Sequence, residues 1–196
     1  MLVSNDLKAE KQCSSARNRA LRMLGLINRS VIYKSKEVMK KMYLAYVQPH
    51  LEYSVQAWSP YLEKDIDKLE RVQYKATRLI SGIGSLEYGE RLVALDMYSL
   101  KYRRLRGDMI EMYKIVEGLD QVNLNGALQF RVSHRGHQFR LGKLRCRTVK
   151  RQQVFSQRVV DQWNGLPADV VGSSSLNVFK SRVDKCFRQE NIVFEF

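Results

Sequence analysis

Basic side chains dominate the positions at which this sequence could do chemistry. Lys101, Arg103, Arg104 and Arg106 fall within Lys101-Tyr102-Arg103-Arg104-Leu105-Arg106-Gly107-Asp108. A second set, Arg131, Arg135, Arg140, Lys143, Arg145, Arg147, Lys150, Arg151 and Arg158, lies in a stretch from Gln121 to Val160 that holds no Asp or Glu. Arginine suits phosphate because its planar fork donates two parallel hydrogen bonds to phosphate oxygens. For Arg103, Arg104 and Arg106, phosphate contact and internal ion pairing both fit, since the preceding helices carry most of the acidic residues. The second set has no carboxylate nearby in sequence, so nucleic acid is its favoured partner. His134, His137 and Phe139 could stack there on unpaired bases.

Other chemistries find weaker footing. Polymerase chemistry needs paired carboxylates to hold two metal ions, and Asp65-Ile66-Asp67 is the nearest approach. Residues two apart on a helix point in different directions, so a solvated helix face is the better reading of Asp65 and Asp67. His134, His137 and Cys146 suggest zinc, but a structural site needs four ligands and the paired spacing is missing. Gly82-Ile83-Gly84 lacks the Lys-Ser/Thr of a phosphate loop. On its own residues the chain is not an enzyme, and nothing calls for a cofactor or a metal.

The elements that must position these residues are mainly helices. Apolar residues recur at helical spacing from Leu7 to Asn28, with Cys13, Ala16, Ala20, Met23, Leu24 and Ile27 inward. Ser35 caps a second helix whose predicted inner face is Val38, Met39, Met42, Ala45, Tyr46 and Val47, and Pro49 should kink or end it. Further helices are expected over Asp65 to Ile80, Glu87 to Leu95, from Ser99 to Gly118, Val154 to Trp163 and Ser175 to Arg188. Phe139-Arg140-Leu141 and Leu144 to Val149 alternate apolar with basic residues, which predicts a short hairpin turning at Gly142-Lys143. Tyr46, Tyr53, Trp58 and Tyr61 gather around Pro49 and Pro60, and a packed aromatic corner fits better than a stacking platform. The expected architecture is a helical, thumb-like bundle over residues 1–118, followed by a small basic α+β segment over 119–196.

Bulk composition agrees. The 196 residues carry 34 Lys and Arg against 20 Asp and Glu, a net charge of +14. Such a surplus sets up a field that attracts polyanions. At this length a chain buries enough surface to fold without disulfides or metals. Three cysteines, far apart and without CxxC spacing, fit reduced thiols in an intracellular protein, nuclear or cytoplasmic. No apolar run reaches the length of a membrane span, so no membrane partner is expected.

Several strings resemble, in order, the region downstream of the catalytic palm in jockey-type LINE (non-LTR) retrotransposon reverse transcriptases. Leu2-Val3-Ser4-Asn5-Asp6-Leu7-Lys8 looks like the last palm strand and its turn, and Ala20-Leu21-Arg22-Met23-Leu24-Gly25-Leu26-Ile27 the next helix. Tyr46-Val47-Gln48-Pro49-His50-Leu51-Glu52-Tyr53 with Trp58-Ser59-Pro60-Tyr61 is similar to the family's most characteristic string. Lys68-Leu69-Glu70-Arg71-Val72-Gln73, Arg104-Leu105-Arg106-Gly107-Asp108, Phe155-Ser156-Gln157-Arg158-Val159-Val160 and Trp163-Asn164-Gly165-Leu166-Pro167 follow. Gln48 departs from the pattern, since relatives commonly carry a basic residue there.

The resemblance implies a full-length protein that copies RNA into DNA, RNA-directed DNA polymerase activity that needs a palm and its aspartates. Neither is carried here, so Met1 is expected to be a start inside a truncated copy or partial gene. It further implies a thumb that holds the template–primer and a C-terminal part that helps bind RNA. The expected partners are RNA, DNA or an RNA–DNA hybrid, with a palm supplied by a longer family protein. The alternative is a decayed or repurposed helical module that binds protein through apolar surface around Leu2, Val3 and Leu26.

Overall fold

The computed structural model describes residues 8–122, 126, 128–131 and 136–189, and it is mainly helical. Two compact units divide within one helix, between Arg103 and Arg104.

The first unit opens with α1 (Glu10–Ser30), which buries Cys13, Ala16, Ala20, Leu24 and Ile27 along one stripe. α2 (Lys36–Met42) starts at Ser35, whose hydroxyl accepts the Val38 N–H at 3.4 Å. The chain then widens into a π-helical turn (Tyr43–Val47) and continues as α3 (Gln48–Glu52). Proline lacks an N–H and crowds the carbonyl four residues back. A wider turn directly upstream relieves that conflict, so Pro49 sits in the first turn of α3 rather than ending the helix. The same widening moves the buried face: Met39, Tyr43, Val47 and Leu51, four apart each time, point inward. Val38 and Tyr46, expected inside, are 39% and 52% exposed.

After α4 (Val55–Trp58), α5 (Glu63–Arg78) packs along α1, and Leu69, Val72 and Ala76 join the α1 stripe in one core cluster. Asp65, expected on a solvated face, is 1% exposed and ion-paired with Lys68 at 2.9 Å, while Asp67 is exposed. Lys64 and Lys68 also reach Glu10 of α1 and hold its carboxyl below the usual range, Lys64 having the larger effect. Gly84 is required by a close approach, because a Cβ there would lie 2.6 Å from the Arg78 carbonyl oxygen. α6 (Tyr88–Ala94) begins with a reciprocal capping box between Glu87 and Glu90. α7 (Leu100–Val116) follows, and both oxygens of Glu70 accept from the Leu100 N–H, at 3.2 and 3.0 Å.

The second unit runs from Arg104 through the rest of α7, then α8 (Val149–Gln152), α9 (Phe155–Gly165), α10 (Ala168–Val171) and α11 (Leu176–Gln189). Its core is aromatic. Tyr113 stacks on Phe179 with centroids 4.2 Å apart, and Trp163, fully buried, lies 6.2 Å from the same ring.

The α+β expectation for the C-terminal segment needs correcting. Among the described residues there is no strand, only an isolated antiparallel bridge between Phe130 and Leu141. Helix α9 takes up the backbone groups a hairpin would have paired. The Phe139 carbonyl accepts from the Trp163 indole at 2.8 Å. Asn164 accepts the Leu141 N–H at 2.8 Å and donates to its carbonyl at 2.9 Å, while the Gln157 carboxamide accepts the Leu144 N–H at 3.2 Å. With those groups satisfied by side chains, no ladder forms. Val149, read as the end of a strand, instead opens α8, which the Thr148 hydroxyl caps.

Candidate nucleic-acid interface

The basic residues divide into those that carboxylates tie into the fold and those that stand clear. Arg103, in the first unit, makes a two-armed pair with Glu52, the second arm at 3.0 Å. In the second unit Arg106 does the same with Asp184 at 2.6 and 3.0 Å. Arg104 is buried near Asp108 and contributes to that carboxylate's field, and Lys101 is half-buried.

Arg158 forks onto Asp108 at 2.8 and 2.9 Å, donates to the Gln153 carbonyl at 3.1 Å and lies over the Phe155 ring. Burial pushes the Asp108 carboxyl up, opposed by hydrogen bonds and charge from Arg158. The Arg104–Asp108 string and the Phe155–Val160 string are thus joined by a largely buried ion pair.

Further along the acid-free stretch, Lys143 pairs with Asp161. Arg140 is half-buried beside Gly136, and Arg131 drapes over Gly142 while staying exposed. Arg135 lies outside the described residues, as does His134. Arg145, Arg147, Lys150 and Arg151 are exposed, and neither they nor Arg131 have a carboxylate partner among the described residues. Arg145 and Arg147 project from the extended segment that Gln157 pins at Leu144, and Lys150 and Arg151 from α8.

Behind Arg145 an open cleft of about 660 Å³ runs between that segment and α9, lined by Leu144, Arg145, Cys146, Gln157 and Arg158, with the Lys143–Asp161 pair also on it.

His137 does not stack on bases. It is 3% exposed, packs edge-on to Trp163 at 5.7 Å, and its Nε2 lies 3.0 Å from the Trp163 carbonyl, where it donates. Desolvation lowers its pKa below the ordinary 6.5, with Arg140 adding to the effect. Phe139 is half-buried. Among the described residues no three His, Cys, Asp or Glu gather as metal ligands.

The aromatic corner separates by depth. Trp58 is buried and its indole donates to the Tyr53 carbonyl at 2.8 Å, whereas Tyr53 and Tyr46 are 76% and 52% exposed. The expected packed corner thus holds for Trp58 and fails for Tyr46 and Tyr53, and for Tyr46 the reason is the π-turn, which turns its ring outward. Gln48 is buried, with its amide on Glu52 at 2.8 Å. Among the described residues no helix is long and apolar enough to cross a membrane. No family model, curated protein or solved structure matches the chain.

Proposed function

We propose that this chain is a non-catalytic, post-palm piece of a LINE-type reverse transcriptase, and that it grips RNA or an RNA–DNA template–primer through Lys and Arg contacts to phosphate. The supporting observation is the exposed group of Arg131, Arg145, Arg147, Lys150 and Arg151, without carboxylate partners among the described residues, on an acid-free stretch anchored to α9. Charge left unneutralised inside the protein is available to displace counterions from a nucleic-acid backbone. Arg103, Arg106 and Arg158 serve the fold first, since each already spends both arms of its fork on a carboxylate. The ordered strings that resemble the retrotransposon family support the same reading.

The test is equilibrium binding of a labelled RNA–DNA hybrid at ~50 mM salt. The unaltered chain should bind at micromolar or tighter affinity. A variant with Arg145, Arg147, Lys150 and Arg151 all changed to Ala should lose roughly tenfold or more, because several phosphate contacts go together. No binding at low salt would end the proposal. Primer extension by the chain alone should incorporate no nucleotide.

A second reading, a protein-interaction module, draws on a groove of about 490 Å³ lined by Leu21, Leu24, Gly25 and Leu79 with Lys75 and Arg78 on it. Leu26, adjoining Gly25, is 48% exposed; Leu2 and Val3 lie outside the described residues. Self-association that ignores salt would favour this reading over the first.

A further inference from the structure

Two tyrosine rings stand clear of the first unit's core on a backbone that fixes where they point. Tyr46 lies in the π-helical turn Tyr43–Val47, and the wider turn sets it away from the core that Tyr43 and Val47 enter. Tyr53 closes α3, and its backbone is held on both sides. Its N–H donates to the Pro49 carbonyl at 3.0 Å, and its own carbonyl accepts the buried Trp58 indole at 2.8 Å. Ser54 follows with φ at 52°, in the left-handed region that serine enters only at an energetic cost. π-Turns and strained residues gather where a fold presents side chains to a partner. The side chains presented here, Tyr46 and Tyr53, are mostly exposed.

Spacing and charge say what the rings can take. Tyr46 and Tyr53 are seven residues apart, two turns of helix, so they emerge on one side and about 10 Å apart along the axis. That distance lets each ring cover a base of its own. From Val38 to Leu62 the sequence holds one acidic residue, Glu52. Arg103 neutralises it through a two-armed pair, the second arm at 3.0 Å, and Gln48 donates to it at 2.8 Å. Lys41 is exposed on the same stretch. A phosphate backbone laid along it meets no uncompensated carboxylate. Exposed rings in such a setting suit nucleic-acid bases, since every base has a face that stacks.

We infer that Tyr46 and Tyr53 form a stacking platform for the unpaired bases of a single-stranded segment, such as the overhang of a template–primer. The inference rests on the nucleic-acid reading above and deepens it. Contacts to phosphate alone hold paired and unpaired strands alike, because both carry the same backbone. The two rings add a preference for nucleotides whose bases are free to stack.

The experiment compares an RNA–DNA hybrid carrying a single-stranded RNA overhang with the same hybrid blunt-ended, at equal salt. The overhang should tighten binding by the unaltered chain roughly twentyfold, about fivefold for each ring. Tyr46→Ala and Tyr53→Ala should each cut that ratio about fivefold, whereas Tyr46→Phe and Tyr53→Phe, which keep a ring, should preserve it. A readout without mutation accompanies it. Saturating overhang hybrid should slow nitration of Tyr46 and Tyr53 by tetranitromethane relative to Tyr33, an exposed tyrosine of the same unit. The nitration decides the matter if the alanine variants fail to fold. An affinity indifferent to the overhang, with Tyr46 and Tyr53 nitrated at an unchanged rate, would overturn the inference while leaving the nucleic-acid reading standing. Alanine variants that lose self-association and keep the overhang preference would give the rings to a protein contact and overturn it as well. Binding of neither hybrid would overturn both.

Discussion

Basic residues in this chain divide between those that carboxylates tie into the fold and those left exposed without one among the described residues. Arg158 and Asp108 have side chains only 14% and 9% exposed, so removing one strands the other's charge in a dry place. Arg158→Ala should therefore cost about 3–5 kcal/mol in urea unfolding. Arg147→Ala, on an exposed position, should stay within roughly 0.5 kcal/mol and act on binding alone. Equal losses from the two would show that the division is misdrawn. His137 gives a pH test. Its folded-state pKa lies below 6.5, so the folded chain takes up its proton less readily than the unfolded one. The stability from neutral His137 is whole above 6.5 and is lost as pH falls below it. His137→Gln, which keeps a donor for the Trp163 carbonyl, should flatten the pH dependence of urea unfolding between about pH 7 and 5. Identical slopes in the two proteins would deny His137 this role. The basic residues were legible in sequence as chemistry, but which of them are neutralised was not. The carboxylates that pair with Arg103, Arg106 and Arg158 lie 50 or more positions away, beyond any local pattern.

At the scale of elements, helices were legible from a cap, as at Ser35, or from an apolar stripe, as along α5. Two local patterns misled. Alternation from Phe139 to Val149 looks like a strand with one wet face, yet the Trp163, Asn164 and Gln157 side chains hold the backbone groups of Phe139, Leu141 and Leu144, while Arg140 and Gly142 bond the backbone of Arg131 and Gln129. Proline at position 49 looks like a terminator, yet the wider turn at Tyr43–Val47 lets the helix pass through it. The clamp from α9 should be measurable. Asn164→Ala leaves the Leu141 N–H and carbonyl without their side-chain partner and should cost about 1–3 kcal/mol. Hydrogen exchange at the Leu141 amide should speed up in the same variant. Protection as strong as in the unaltered chain would show that something other than Asn164 holds the segment.

Across the whole molecule, the surplus of +14 is an average over paired and unpaired charge, and the proposed function depends on the unpaired part. Among the described residues of the acid-free stretch, five exposed side chains, Arg131, Arg145, Arg147, Lys150 and Arg151, carry it. Each phosphate they neutralise should add roughly −0.7 to −0.9 to the slope of log affinity against log salt. The decisive measurement is that slope for an RNA–DNA hybrid, on the unaltered chain and on the variant with Arg145, Arg147, Lys150 and Arg151 replaced by Ala. The expected values are about −4 for the first and about −1 for the second. An affinity indifferent to salt, or a slope untouched by the four replacements, would contradict the claim that these side chains bind phosphate.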